Sequence, residues 1–157
     1  MCTIHLTTFI AAPIERVFDL SRSISLHKIS SAHTNKEAIG GITSGLINKN
    51  ETVTWRAKHL FKIRYFTTRI SEMQTPNFFI DEMQKGDFKS LKHEHHFKKI
   101  DNGTIMIDIL NFESPYGIIG KWFNKIYLKN LLQKLIVQRN IVIKDYAETG
   151  KWKALLN

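Results

Sequence analysis

One cysteine, three prolines and eight glycines in 157 residues remove several classes of protein from consideration. With Cys2 alone no internal disulfide can form, so the chain must hold together by packing, and a reducing cytoplasm is the expected location. No stretch approaches the ~18 uninterrupted apolar residues that a transmembrane helix requires. Met1-Cys2-Thr3-Ile4-His5 has neither the basic start nor the apolar run of a signal peptide. Internal repeats, low-complexity tracts and interdomain linkers are also missing. What is present, 43% hydrophobic and 24% charged residues, is the balance of one globular domain, expected over residues 1–150 with a short tail at 151–157.

Acidic residues are scarce too: 14 Asp and Glu stand against 23 Lys and Arg, for a net charge of +9. Eight of the cations (Lys121, Lys125, Lys129, Lys134, Arg139, Lys144, Lys151, Lys153) fall between 117 and 153 beside two acids, Asp145 and Glu148, so that segment is +6 and the remainder +3. No Arg-rich cluster, Gly-rich loop or nucleic-acid signature accompanies them, and nucleic acid is not an expected partner. Cations spaced four or five apart are first of all the wet side of an amphipathic helix. A weak contact with an anionic membrane or ligand head stays open as a second role.

Thr3 to Ile10 has strand propensity, and Ala11-Ala12-Pro13 ends it, with Pro13 suited to the first turn of a helix. Ile14, Val17 and Phe18 give that helix an apolar face. Ser21-Arg22-Ser23 interrupts it before a second short helix around 24–30. From Lys36 onward, turn residues recur at Gly40-Gly41, Asn48-Lys49-Asn50, Thr75-Pro76-Asn77, Gly86-Asp87 and Asp101-Asn102-Gly103. The spacing predicts strands near 36–41, 45–48, 51–59, 63–73, 78–85, 88–100 and 104–113, which with the first form a meandering antiparallel sheet. After Ser114-Pro115 the period changes. Ile119, Trp122, Phe123, Ile126, Leu131, Leu132, Leu135, Ile136, Val142, Ile143 and Tyr146 recur three or four apart, and neither Pro nor Gly interrupts Lys121 to Thr149, which predicts one helix of about 30 residues, ~45 Å long. A long apolar-faced helix following one curved sheet must lie across it. The order is that of an α+β helix-grip fold, a curved antiparallel sheet of about seven strands wrapped on a long C-terminal helix.

Particular residues also carry a family likeness. Phe79-Ile80-Asp81-Glu82-Met83, Gly86-Asp87-Phe88, Leu91-Lys92-His93-Glu94-His95-His96-Phe97, Gly103-Thr104-Ile105-Met106-Ile107-Asp108, Ser114-Pro115-Tyr116-Gly117 and Gly120 resemble the SRPBCC superfamily, which includes START-type lipid-transfer proteins and polyketide cyclases. Within it the likeness is to bacterial cyclase/dehydrase-like proteins, and Pro13 and Trp55-Arg56-Ala57-Lys58-His59 agree with that subgroup. The resemblance implies a deep hydrophobic cavity between sheet and last helix that holds a small apolar ligand or lipid. It implies no single chemistry, since members include carriers, cyclases, hydrolases and regulatory modules. This chain has Gly86-Asp87 where many relatives have Gly-Pro, and Leu91 where they have tryptophan, which alters the expected cavity wall.

Period two assigns faces on the strands that could carry chemistry. Lys92, Glu94, His96 and Lys98 share the face that belongs in water, leaving Leu91, His93, His95 and Phe97 for the interior. On the next strand composition does not choose a face, and the resemblance favours Met106, Asp108, Leu110 and Phe112 as inward. Asp108 is then a carboxylate on an apolar wall, costly unless partnered, and the 101–103 hairpin makes His93 or His95 its natural partner. Trp55, Ala57 and His59 share a face, so His59 is a further member. The expected ligand-binding set is therefore a polar end of His59, His93, His95 and Asp108, lined by Trp55, Phe79, Met83, Leu91, Met106, Leu110, Phe112, Phe123 and Ile126.

Three roles remain open for the polar set: structural groups that satisfy one another, the anchor for the polar end of an apolar ligand, or a His–Asp acid/base pair of a cyclase, dehydratase or hydrolase. No Ser or Cys nucleophile stands beside the pair, so no catalytic residue is assigned. His93-x-His95 with His59 or Asp108 has the residue types of a metal site but completes no metal signature, and neither a metal nor another cofactor is assigned. The expected partner is a small hydrophobic or amphipathic molecule, and the choice between monomer and homodimer stays open.

Overall fold

A computed structural model describes residues 1–59, 62–114 and 121–156, with the side chains of 59 and 121–124 outside the description. Strand β1 (Cys2–Ile10) is followed by helices α1 (Ile14–Ser21) and α2 (Ile24–Ser30) and a 3-10 turn at Ala32–Thr34. Strands β2 (Glu37–Gly41), β3 (Thr52–His59), β4 (Lys62–Gln74), β5 (Phe78–Lys85), β6 (Ser90–Ile100) and β7 (Gly103–Glu113) come next. Helix α3 (Lys121–Glu148), a 3-10 turn at Gly150–Trp152 and helix α4 (Lys153–Leu156) close the chain. The seven strands form one antiparallel sheet in the order β1-β7-β6-β5-β4-β3-β2. The helix-grip architecture follows: the sheet curves around α3, and the two short helices pack at its flank.

Local chemistry explains the boundaries. Pro13 immediately precedes α1, whose Ile14, Val17, Phe18 and Leu20 are buried. Ser23 stops α1 from running into α2 by capping the latter, its hydroxyl accepting from the Leu26 N–H at 3.1 Å, which satisfies a donor that has no partner within the helix. The 45–48 segment, expected as a strand, does not join the sheet. Its backbone bonds instead to the α1–α2 junction, where the Ile24 N–H donates to the Gly45 carbonyl and the Ile47 N–H to the Arg22 carbonyl. Gly45 has φ +73°, a left-handed conformation that turns the chain away from the sheet edge.

Two apolar clusters fill the space between sheet and helices. The larger joins Ile10, Val17, Phe18, Leu20, Trp55, Ile70, Phe79, Phe97, Met106, Ile143 and Ala147. The smaller holds Ile4, Leu110, Phe112 and Ile136, with Leu91, Leu128 and Leu132 packed against it. On β7 the inward residues Met106 and Leu110 belong to different clusters, and Asp108 stands between them at the seam.

Helix α3 contributes a narrower stripe than the sequence periodicity suggests: Ile136, Arg139, Asn140, Ile143 and Ala147 are buried. Ile126, expected in the lining, is 61% exposed. It stands two residues before Leu128, about 200° around the helix, and so faces away from the sheet. Residues 151–156, expected as a tail, fold back. Trp152, Leu155 and Leu156 pack against the larger cluster, and the Arg16 guanidinium lies 4.3 Å from the centre of a Trp152 ring.

The turn that starts β7 is held by a close backbone approach. A Cβ added at Gly103 would collide with the Ile10 carbonyl and press on Ala11 and the Phe9 ring. Gly103→Ala should therefore cost about 1–3 kcal/mol by overpacking, read as a lower urea midpoint at unchanged slope. A neutral result would mean that the hairpin and the end of β1 are not in contact.

Candidate functional site

The register of β6 and β7 builds the site. His95 pairs with Asp108 and His93 with Leu110 across the ladder, so both imidazoles and the carboxylate share the inner face. Asp108 has no accessible surface, and His95 is 3% exposed. The carboxylate is satisfied from two sides. Its Oδ1 accepts from His93 Nε2 at 2.9 Å, His95 Nδ1 at 2.9 Å and Arg139 Nη1 at 3.3 Å, and its Oδ2 accepts from Asn140 Nδ2 at 2.7 Å. An ionised carboxylate only accepts, so both imidazoles donate at these nitrogens, and a neutral ring keeps its lone pair at His93 Nδ1 or His95 Nε2. His95 is stacked on Phe79 at 4.3 Å between centroids, and the centre of the His93 ring lies 3.8 Å from that of His95.

Electrostatics follow from this geometry. Burial pushes the Asp108 carboxyl up, but the hydrogen bonds from His93 and His95 and the charge of Arg139 outweigh it and hold the group well below the usual carboxylate range. His95 is pushed well below its ordinary value, by burial first and then by the charges of His93 and Arg139, which its bond to Asp108 does not offset. The interior therefore holds an ionised aspartate, a cationic arginine and a neutral histidine.

Arg139 and Asn140 are site residues that the sequence pattern did not single out. Arg139, grouped by spacing with the solvated cations of α3, is 7% exposed, and its other nitrogen donates to the Ser21 carbonyl at 3.0 Å. A second polar group adjoins the first. Asp81 on β5 pairs with His93 in the ladder, with Thr68 facing it from β4. Burial pushes its carboxyl up, and Oδ1 has no hydrogen-bond partner among the described residues. Lys36, just ahead of β2, lies with Nζ 2.9 Å from His27 Nε2 on α2 and against the Trp55 and Phe66 rings. Asp108, His95, His93, Asp81, His27 and Lys36 thus form one polar belt across the inner face.

The remaining expected residues fall as follows. Trp55, Phe79, Met106, Leu110 and Phe112 are buried, and Met83 and Leu91 half-buried. The side chains of His59 and Phe123 lie outside the described residues. An open depression on α3 lined by Asn130, Gln133, Lys134, Val137 and Gln138 contains none of the belt. Ligand atoms of His93, His95 and Asp108 lie within 4.8 Å of one another, a spacing that suits a cation. The Arg139 guanidinium on the same Asp108 oxygen opposes one, because a metal would have to share that oxygen with a fixed positive charge.

The fold and this buried polar belt define a helix-grip protein, and comparison with known proteins agrees on the fold. No protein-family model matches the sequence, and no curated protein does. Solved structures do. The aromatase/cyclase ZhuI from a Streptomyces species superposes with TM-score 0.72 at 12% identity over 93% of both chains. A START superfamily protein from Mycobacterium smegmatis gives 0.68 at 11% identity, over 93% of this chain and 97% of that one. The protein TTHA0849 from Thermus thermophilus gives 0.65 at 20% identity over 99% of both. At these identities the likenesses show the fold, the helix-grip architecture that the order of elements predicts.

Removing the carboxylate alone leaves Arg139 buried and uncompensated, so Asp108→Ala should cost about 3–5 kcal/mol. Pairing it with Arg139→Met should recover part of that loss in equilibrium unfolding, and strict additivity would contradict the contact. His95 makes a separate test through pH. Its folded value lies below that of the unfolded chain, so the unfolded chain binds the proton first as pH falls. The stability it contributes is complete above about pH 6.5 and is lost below, by up to ~1.4 kcal/mol per pH unit. His95→Gln should flatten the decline in stability between pH 7 and 5, and an unchanged slope would show that His95 is not held neutral.

Proposed function

We propose that this protein binds a small, largely apolar molecule with a polar end group, in the space between the inner face of the sheet and α3, without obligatory catalysis. The observation that carries the reading is the pre-oriented imidazole of His93. Asp108 fixes its Nε2, its Nδ1 has no hydrogen-bond partner among the described residues, and its side chain keeps 13% of its surface in an otherwise buried cluster. A ligand hydroxyl meets such a group without displacing any protein contact. Lys36, His27 and Asp81 support it. Each is influenced first by burial, yet each retains accessible surface, as side chains do that line an interior space rather than fill a core. Among the described residues no helix is long and apolar enough to cross a membrane.

Mass spectrometry of an organic extract from gently purified protein tests this directly. A co-purifying apolar compound, released on unfolding, is the expected result. A protein that yields none and does not bind an environment-sensitive apolar dye overturns the reading. A second reading, acid/base catalysis, is favoured by one contact, the 2.9 Å His93–Asp108 pair, in which the carboxylate orients the ring. Arg139 on the same oxygen works against it, because it draws down the negative charge that would stabilise an imidazolium. If catalysis holds, His93→Ala abolishes turnover of the extracted compound and leaves the melting temperature within a few degrees. Under the binding reading the same variant weakens retention of the ligand, by about 1–2 kcal/mol for one hydrogen bond.

A further inference from the structure

Lys36 stands out in the polar belt as a half-buried cation with no carboxylate in contact. Arg139 has Asp108 against it, whereas among the described residues no ion pair reaches Lys36. Its ammonium makes one hydrogen bond, donating to His27 Nε2 at 2.9 Å. The Trp55 and Phe66 ring centres lie 4.3 and 4.5 Å from Nζ and wall its sides. Aromatic faces favour a cation but supply no counter-charge, and an ammonium has three donors. Two N–H bonds are therefore left over on a half-buried side chain. Asp81 on β5 acts on it through space, without an ion pair.

We propose that Lys36 anchors the carboxylate of an amphipathic acid whose apolar body lies along Trp55 and Phe79. This rests on the ligand-binding reading above and specifies the class of ligand: an aliphatic or aryl carboxylic acid, with one oxygen on the Lys36 ammonium. A single fixed cation suits a single negative charge, and the flanking rings exclude the water that would otherwise screen it. The groups that face Lys36 are compatible. His27 on α2 is held well below its ordinary value, by burial and then by Lys36 itself, so it accepts rather than repels. Burial raises the Asp81 carboxyl on β5, which weakens its repulsion of an incoming anion. Arg139 on α3 adds positive potential from across the belt.

The same geometry gives the proposal a pH signature. In the free protein burial lowers Lys36 to about 7, with Asp81 raising it and Arg139 lowering it. A carboxylate in contact raises it again, so above pH 7 binding takes up a proton, and affinity falls as pH rises, by up to about tenfold per unit. Binding of decanoate and of 1-decanol to the full chain, followed by tryptophan fluorescence, reads both features. Decanoate should bind at least tenfold tighter than decanol at pH 6.5 and weaken toward pH 9, while decanol stays flat. Lys36→Met should bring the two ligands to equal affinity. Lys36→Arg should keep the preference and lose the pH dependence, since arginine does not deprotonate in this range.

Equal affinities in the wild type, or a preference that survives in Lys36→Met, overturn the anchor and leave the cavity reading intact. Failure of both ligands to bind overturns both. Should Lys36→Met not fold, the pH dependence of the wild type against Lys36→Arg decides: parallel curves for the two proteins sink the proposal.

Discussion

Burying Asp108 is the constraint around which the interior is arranged. An ionised carboxylate without accessible surface costs several kcal/mol of lost hydration, recovered only if its lone pairs are filled with good geometry. Four side chains do this, and they come from two elements besides its own: His93 and His95 from β6, and Arg139 and Asn140 from α3. The α3 donors are tied onward. Arg139 reaches the Ser21 carbonyl at the end of α1, and Asn140 the Thr8 hydroxyl on β1. The carboxylate therefore sets how far α3 can rotate or slide on the sheet, which apolar contacts alone specify loosely, being non-directional.

That arrangement changes the meaning of the basic C-terminal segment. Arg139 is spent inside, on Asp108. Lys144 pairs with Glu148, and Lys151 with Asp145. Both acids of the segment are thus matched, and among the described side chains the exposed cations without an ion pair are Lys125 and Lys134 on α3 and Lys153 on α4. A count of charges along the chain treats these as one basic face; the structure divides them into an interior cation, two paired lysines and a smaller solvated group.

Period two in strands explains what could be read in advance. On β6 the side-chain alternation places His93 and His95 on the inner face, and the Asp-Asn-Gly turn sets β7 beside it; the face of Asp108 was indicated by the family resemblance, because the two faces of β7 do not differ enough in composition to choose. Asp81 was legible by the same rule, because it has the parity of Phe79 and Met83. Arg139 and Asn140 were not, since helical periodicity is read from apolar residues and a polar pair at the middle of the buried stripe is counted as surface. Lys36 and His27 leave no trace at all: their partnership depends on how α2 packs beside β2 and sets His27 against the Trp55 ring of β3. Apolar periodicity erred in the opposite sense at Ile126, and turn chemistry at 45–48 could not show that the backbone would bond to the α1–α2 junction rather than to a strand.

The belt is complete at one end and incomplete at the other, and that asymmetry bears on function. Around Asp108 both carboxylate oxygens have donors, so the rings there are held in one orientation. At Asp81 an oxygen lacks a partner among the described residues, and at Lys36 two donors do. A buried acceptor left unpaired, as Asp81 Oδ1 is among the described residues, costs about 1–3 kcal/mol relative to a partnered one, a sizeable fraction of the stability of a domain this size. An apolar side chain at position 81 would remove that cost and leave the Asp108 network untouched. The structure thus holds its imidazoles rigid at one end of the belt and keeps open hydrogen-bonding capacity at the other, which is the division that the proposed binding of a polar head would use: fixed partners to orient against, and open ones to complete.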